Sequence, residues 1–275
     1  ADAIVHGAPK ALAMLGHDAS EYPLVIQLMG KEPEVLAQAA RIAEHSGASG
    51  IDINFGCPAH KIARNGSGAM LMRDLARCRS LIEAVMNAVS IPVSIKVRVS
   101  IKDQMRQVIT ILDMLESVAD LPIAAVMVHG RSFEDPFEGG IQTDMIRKVK
   151  EWFTKGPVIA NGGIISVESA REILEQTGAD GIGFARSAIG SPWIFRQIQD
   201  FLQSGAYSPV EWDVVKNAIQ THVELFELYR DQTPFREIRR HLTHYIKGHK
   251  QASEIRQRLT QVNSPAEVAE VLAGY

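Results

Sequence analysis

The residue with the clearest potential for chemistry is Cys57, which stands in the turn sequence Asn54-Phe55-Gly56-Cys57-Pro58 directly after an apolar segment. A thiol in such a turn projects from the chain, and near neutral pH it can act as a proton donor as well as a nucleophile. The alternative is a buried, unreactive residue, which is common for free cysteines. The second cysteine, Cys78, lies within a predicted helix, and we expect it to be structural.

Two further side chains are unusual for the apolar segments that carry them. Lys96 interrupts the run Val93-Ser94-Ile95-Lys96-Val97, where an unpaired ammonium group is costly, so it requires an anionic or carbonyl partner. The alternative is a lysine whose stem merely reaches the rim of the fold. His129 ends the run Ala125-Val126-Met127-Val128 and is followed by Arg131, so either a site residue or a hydrogen-bonded core histidine is expected there.

Two segments combine glycine with an apolar strand. The first is Asn161-Gly162-Gly163, which ends one predicted strand, and the second is Gly181-Ile182-Gly183-Phe184-Ala185-Arg186, which contains the next. Glycine allows backbone N–H groups to approach an anion, a following helix adds a favourable dipole, and arginine adds charge. A phosphate site is therefore predicted from the pair of loops. Ordinary strand-to-helix turns are the alternative.

The elements that must position these residues are six short apolar segments, most of them followed by a stretch with helical spacing. The strands are predicted at residues 24–28, 50–54, 93–97, 125–129, 158–161 and 181–185, and the helices between them at 34–45, 75–89, 103–118, 144–153 and 167–176. This alternation predicts a parallel sheet covered by helices. Polar residues at the end of nearly every strand favour a (β/α)₈ barrel over an open sheet, since a barrel gathers all its strand ends at one mouth. We expect the two strands beyond these six to lie upstream of this chain.

The strand signals stop after Trp193. Helices are predicted at residues 192–203, 210–229, 235–250, 252–263 and 265–272, so the chain is divided into a barrel domain, 1–191, and a small all-helical domain, 192–275. Between residues 236 and 258 there are seven lysines and arginines against two glutamates. This density indicates either a solvated helix face or contact with a polyanion.

Composition excludes several classes of protein. The chain has 275 residues, 46% of them hydrophobic and 22% charged, and a net charge of −3, which is typical of a globular protein with a large core and not of a general polycation. Two cysteines are too few for a disulfide framework, so we expect a cytoplasmic protein. The sequence has no apolar run long enough for a membrane span and no cluster of histidine or cysteine, so neither a membrane nor a metal is expected.

Taken together, these segments resemble the bacterial tRNA-dihydrouridine synthase family, and the similarity extends over essentially the whole chain. The matching motifs follow the order of the family: Val25-Ile26-Gln27-Leu28-Met29-Gly30, Asn54-Phe55-Gly56-Cys57-Pro58, Ser94-Ile95-Lys96-Val97-Arg98, Val128-His129-Gly130-Arg131, Ile159-Ala160-Asn161-Gly162-Gly163, Ala185-Arg186-Ser187 and Tyr245-Ile246-Lys247-Gly248. The resemblance implies an enzyme that reduces specific uridines of tRNA to 5,6-dihydrouridine with FMN and NADPH. It also implies that the helical domain binds tRNA, and we expect the protein to act as a monomer.

The resemblance implies a role for each matching position. Cys57 would protonate C5 of the uracil while reduced flavin delivers hydride to C6. The residues that would contact the substrate nucleotide are Asn54, Lys61 and Arg131. The residues that would contact the ring or ribityl part of FMN are Gln27, Lys96 and His129, and those that would hold its phosphate are Asn161, Gly162, Gly163, Ala185 and Arg186.

The sequence departs from the family at two points. Ala185 stands where the family has glycine, and no segment matches the Ala-Pro-Met sequence that ends the family's first strand. Two other functions therefore stay open: a flavin-dependent dehydrogenase of the dihydropyrimidine or dihydroorotate type, and an inactive fragment that binds tRNA. A barrel lyase or isomerase with a phosphate site is a third possibility, but it explains neither Cys57 nor the basic helical region.

Overall fold

The computed structural model describes residues 1–135, 137–230 and 233–275. Packing divides the chain into two compact units. The first comprises Ala1–Gly163 and Glu172–Gly183, and the second comprises Ile164–Arg171 and Phe184–Tyr275. The boundary predicted from the sequence, between a barrel domain at residues 1–191 and a helical domain at residues 192–275, stays a prediction.

The first unit contains a six-stranded parallel sheet in the order β1-β2-β3-β6-β7-β8, and β4 and β5 pair separately as an antiparallel hairpin. The strands are β1 Val25–Leu28, β2 Gly50–Phe55, β3 Val93–Arg98, β4 Ser100–Lys102, β5 Val108–Thr110, β6 Ala125–His129, β7 Val158–Asn161 and β8 Gly181–Gly183. An open doubly wound sheet reverses its strand order at a switch point, whereas this order follows the chain throughout. The fold is therefore of the (β/α)₈-barrel type with six strands, followed by a helical region, as predicted from the sequence.

The strands form because apolar residues alternate with polar or small ones, so that each strand has two different faces. In β2, Ile51, Ile53 and Phe55 are fully buried and face the helix layer. The alternate positions of the same strand carry Asp52 and Asn54. One face of the sheet is consequently a hydrophobic core, and the other is free to hold polar side chains.

The helices alternate with the strands in the first unit and dominate the second. They are α1 Asp2–Val5, α2 Pro9–Ala13, α3 Pro33–His45, α4 His60–Arg64, α5 Leu75–Met86, α6 Ile111–Ser117, α7 Thr143–Trp152, α8 Val167–Thr177, α9 Ile194–Ser204, α10 Trp212–Tyr229, α11 Arg239–Tyr245, α12 Ala252–Leu259 and α13 Pro265–Ala273. Short 3₁₀ helices lie at Ala19–Glu21, Gly68–Arg73, Arg186–Ala188 and Phe235–Glu237. Within the described ranges, none of the helices combines the length and the apolar character that crossing a bilayer requires.

The predicted helix at residues 103–118 is wrong in its first half. The chain there forms the β4–β5 hairpin, and α6 begins only at Ile111. The β-branched residues of Val108-Ile109-Thr110 favour a strand. Thr110 then starts the helix through a capping box, in which its hydroxyl accepts from the backbone N–H of Asp113 and the carboxylate of Asp113 accepts from the backbone N–H of Thr110.

The tip of this hairpin holds Arg106 in the left-handed region, at φ 65°. This conformation costs a non-glycine residue about 1–2 kcal/mol, and glycine gives back about 0.5–1 kcal/mol of the gain because it is freer in the unfolded chain. We therefore expect Arg106→Gly to raise the melting temperature by about 1–3 °C. Calorimetry of the variant beside Gln104→Gly would measure this. Gln104 is an exposed residue of the same loop without positive φ, so its replacement should lower the melting temperature slightly. Equal shifts in the two variants would contradict the assignment of strain to Arg106.

The second unit has its own hydrophobic core, built from α10 to α13. Ile219, Val223, Leu242, Ile255 and Val268 are among its most buried residues. The predicted helix at 235–250 is shorter in the structure, since a 3₁₀ turn precedes α11 and the helix ends at Tyr245. After that point the Lys247 N–H donates to the Tyr245 carbonyl, and Gly248 adopts φ 72°, which a continuing helix does not allow.

Candidate active site

Polar side chains line the inner face of the sheet in three steps that follow the strand register. Gln27, Asp52 and Ser94 are partners on β1, β2 and β3. Asn54 pairs with Lys96 one step further toward the carboxyl ends. The last step consists of Arg98, His129, Asn161 and Gly183 on β3, β6, β7 and β8. The carboxyl ends of the strands thus form one continuous polar surface, which is where barrel enzymes carry their sites.

Asp52 is the centre of the first step. Its two carboxylate oxygens accept from Gln27 Nε2 and from Ser94 Oγ, each at 2.7 Å. Burial raises the pKa of the Asp52 carboxyl, while these hydrogen bonds and the nearby Lys96 charge act in the opposite direction. Asp52 and Ser94 were not predicted as site residues, although their period-2 spacing with Asn54 and Lys96 places them on the same face.

Asn54 fixes the turn that carries Cys57. Its Nδ2 donates to Gln27 Oε1 at 2.6 Å, and its Oδ1 accepts from the backbone N–H groups of Gly56 and Cys57 at 3.0 and 2.9 Å. The turn also lies against Gly68, where a Cβ would be 2.8 Å from the Cys57 carbonyl oxygen and where φ is 64°. The backbone at Cys57 is therefore held from both sides.

The two cysteines occupy opposite environments. Cys57 is half-buried, whereas Cys78 is fully buried in α5. Burial raises the pKa of the Cys78 thiol to about 12, and its Sγ donates to the Leu71 carbonyl at 3.1 Å. Cys78 is therefore a core residue, as expected from its place in a helix.

Lys96 and Arg98 bring two positive charges to the inner face of β3. Burial lowers the pKa of the Lys96 ammonium, and the neighbouring Arg98 lowers it further, while Asp52 and Cys57 oppose the shift. Arg98 is buried, and its Nε donates to the Gly56 carbonyl at 2.8 Å while its Nη1 donates to the Ser132 carbonyl at 3.0 Å. Burial, with Arg131, lowers the pKa of Arg98 to about 10. Arg98 was not among the predicted site residues, although it supports the Cys57 turn directly.

His129 and Asn161 are register partners on β6 and β7. Asn161 is buried and its Nδ2 donates to the Gly183 carbonyl at 2.7 Å. Gly162 follows with φ 101°, and a Cβ there would lie 2.8 Å from the His129 ring. Glycine is therefore required for the backbone to pass this close to the His129 ring.

The remaining predicted residues lie in different places. Arg131 is half-buried and its Nε donates to the Gly139 carbonyl at 2.6 Å. Lys61 is exposed on α4, close in sequence to Cys57. Ala185 and Arg186 belong to the second unit and are exposed there. The structure therefore brings Gln27, Asn54, Cys57, Lys96, His129 and Asn161 to the inner face or strand ends of one sheet.

Part of the basic region in the second unit has a structural role. Arg239 Nε donates to the Val262 carbonyl at 2.8 Å, and Arg256 Nε donates to the Ile246 carbonyl at 3.1 Å. The Arg258 guanidinium lies 5.5 Å from the centre of the Tyr275 ring. These arginines connect the helices of the unit. They therefore match neither a fully solvated helix face nor a site that serves only to bind a polyanion.

A (β/α)₈-type fold with a polar surface at its strand ends defines a barrel enzyme. A family model described as dihydrouridine synthase (Dus) matches residues 1–274. The chain belongs to the dihydrouridine synthase family, which confirms the resemblance found in the sequence and the prediction of an enzyme.

Individual relatives agree with this assignment. The chain is 36% identical over 252 residues to the tRNA-dihydrouridine synthase B of Salmonella typhimurium, covering 91% of this chain and 77% of the relative. The protein of the same name from Escherichia coli K12 matches with the same identity and coverage. That of Vibrio vulnificus is 34% identical over 268 residues, covering 97% of this chain and 82% of the relative. Among solved structures, histamine dehydrogenase from Rhizobium sp. 4-9 aligns with 60% of this chain and 27% of its own, at a TM-score of 0.46 and 18% identity.

Proposed function

We propose that this protein reduces specific uridines of tRNA to 5,6-dihydrouridine, with FMN as its cofactor and NADPH as the reductant. The observation that carries the proposal is the joint placement of Cys57, Asn54 and Lys96 at the carboxyl ends of two neighbouring strands. Family membership and the names of the relatives support the same reaction.

The residues of the inner face fit a flavin. Its ring system presents mainly carbonyl oxygens and ring nitrogens, and the surface offers the Lys96 ammonium and the Gln27 amide as donors. Gly162 lies directly against the His129 ring, so the chain after β7 packs on the edge of the polar surface where the flavin ring is placed. We assign Gln27, Lys96 and His129 to the ring or ribityl part of FMN. The residues that we assign to its phosphate are Asn161, Gly162, Gly163, Ala185 and Arg186. The bound flavin would supply hydride for C6 of the uracil.

Cys57 supplies the proton for C5. Its backbone N–H is tied to Asn54 Oδ1 at 2.9 Å, so the thiol is carried on a fixed turn and not on a mobile loop. Its half-buried position lets the Sγ reach a substrate while limiting contact with water. A donor held in this way is typically worth about 10² to 10⁴ in rate. Asn54, Lys61 and Arg131 are assigned to contacts with the substrate nucleotide.

Lys96 stabilises negative charge at the inner face. Its burial makes the ammonium costly to hold without an anion, as the lowered pKa indicates. Asp52 attracts the ammonium electrostatically, but its carboxylate oxygens accept their hydrogen bonds from Gln27 and Ser94, and no described residue is hydrogen-bonded to the Lys96 ammonium. Lys96 is thus prepared to stabilise charge that develops during the reaction.

The helical region is assigned to tRNA. A uridine must leave its stack to meet the inner face, and a tRNA loop makes this easier than a duplex does. Arg236, Arg240 and Lys250 are exposed basic residues of the second unit that can contact phosphates.

Incubation of the purified protein with FMN, NADPH and unmodified tRNA transcripts, followed by nucleoside analysis by mass spectrometry, would test the proposal. We expect dihydrouridine at one or a few positions, and the same position should be missing from tRNA of cells that lack the gene. Reduction of free uracil or oxidation of dihydroorotate without action on tRNA would favour the dehydrogenase alternative. A protein that binds tRNA, but that binds no flavin and shows no NADPH-dependent activity, would favour the inactive fragment.

A further inference from the structure

The second unit contains a basic cleft of about 550 Å³, and of its lining residues the proposed flavin site uses only Arg186. Its lining includes two cations, Arg186 and Lys247, the hydroxyls of Ser166 and Ser191, and the ring of Trp193. Among the described residues that line it, none is acidic. Both cations are exposed, so they are available to a ligand from solution.

Lys247 is held at the cleft by neighbouring chain. Its Nζ donates to Ser191 Oγ at 3.1 Å and to the Ile189 carbonyl at 3.3 Å. An ammonium group has three donors, so one is left for a ligand. The chain between these partners is pressed against α11, because a Cβ on Gly190 would lie 2.3 Å from the His244 carbonyl carbon. The position of Lys247 is therefore determined by packing, unlike that of a freely moving surface lysine.

The chemistry of the lining matches a phosphate with an attached nucleoside. Two cations and nearby hydroxyls suit a phosphate, and Trp193 offers an aromatic surface for a base or ribose. Tyr207 also borders the cleft, but its hydroxyl is occupied by Glu168 at 3.0 Å. The volume is within the range of clefts that hold a ligand of nucleotide size.

We propose that this cleft binds one backbone phosphate of the RNA substrate, with Lys247 as the principal contact. The proposal rests on the proposed function, since it supplies a defined contact for the same tRNA. The phosphate of a flavin mononucleotide shares this chemistry, and Arg186 is already assigned to that group. The test therefore relies on Lys247 and measures flavin content separately.

The experiment compares Lys247→Gln with Lys216→Gln in tRNA binding over a range of salt concentrations. Lys216 lies on α10 of the same unit and pairs with Asp213 at 2.8 Å, so it is a matched control outside the cleft. For Lys247→Gln we expect about tenfold weaker binding at low salt, and a slope of log Kd against log salt that is shallower by about 0.7–1. Lys216→Gln should leave both unchanged, and Lys247→Arg should restore the slope.

Three results would overturn the proposal. The first is a Lys247→Gln protein that binds tRNA like the Lys216→Gln control while the wild type forms dihydrouridine, in which case the proposed function survives. The second is a loss of flavin content in Lys247→Gln with unchanged tRNA binding, which would assign the cleft to the flavin phosphate. The third is a wild type that neither binds nor modifies tRNA, which removes the proposed function as well. Circular dichroism of each variant, together with the Lys247→Arg rescue, separates these outcomes from misfolding.

Discussion

The Cys57→Ala protein is expected to bind flavin and tRNA like the wild type but to reduce uridine about 10² to 10⁴ times more slowly. The reason is local. Removing the Sγ removes the proton donor, while the hydrogen bond that fixes the turn comes from the backbone N–H of Cys57 and is retained. The turn also keeps its contact with Gly68. Alanine therefore deletes a chemical step without disturbing the geometry around it.

Single-turnover kinetics would measure this effect. The protein is reduced with NADPH in the absence of oxygen, mixed with unmodified tRNA, and followed by the return of flavin absorbance and by nucleoside analysis. Cys78→Ala is the matched control, because Cys78 is buried in α5 and donates only to the Leu71 carbonyl. That variant should lose stability and keep its turnover. A Cys57→Ala protein with wild-type turnover would show that the proton comes from another group.

The second large effect is expected for Lys96→Met. Turnover should fall by about 10² to 10³, which is the usual cost of losing one preorganised charge at a reacting group. Stability should stay the same or rise, because methionine has a similar length and carries no charge that must be desolvated. The lowered pKa of Lys96 reports this desolvation cost in the native protein. Activity and stability should thus move in opposite directions.

Steady-state turnover, flavin content and melting temperature, measured on the same preparations, would test this pairing. Lys148→Met provides the control, since Lys148 is an exposed lysine on α7 of the first unit and should change turnover very little. A clear drop in the melting temperature of Lys96→Met would instead indicate that the ammonium is a structural partner of Asp52. Wild-type turnover with full flavin content would remove Lys96 from the proposed chemistry.

The motif residues were predictable from the sequence because each of them breaks a local pattern. Cys57 stands in a glycine-proline turn, and Lys96 places a charge inside an apolar strand. Residues that follow the pattern were harder to recognise. Asp52 and Arg98 occupy the same inner face, yet neither was predicted as a site residue, and the structure shows their roles by placing them beside Gln27 and the Cys57 turn.

The basic helical region illustrates a second limit. Charge density in a sequence does not tell a solvent-facing arginine from one that bonds a helix end within its own domain. Arg239 and Arg256 donate to carbonyls of distant segments, whereas Lys247 is held at an open cleft. All three residues add the same positive charge to the sequence, and only the packing around α11 and α12 shows that their roles differ.

The alternation of strands and helices, the barrel class of fold and the family could all be predicted from the amino-acid sequence, because they depend on periodicity and on motifs a few residues long. The partners of the polar side chains on the inner face, the hydrogen bonds that hold the Cys57 turn and the cations left for a ligand are visible only in the folded protein. Period-2 spacing within one strand shows which of its residues share a face, but the contacts across that face, such as the 2.7 Å bond from Gln27 to Asp52, join residues far apart in the chain and are not encoded by a local pattern.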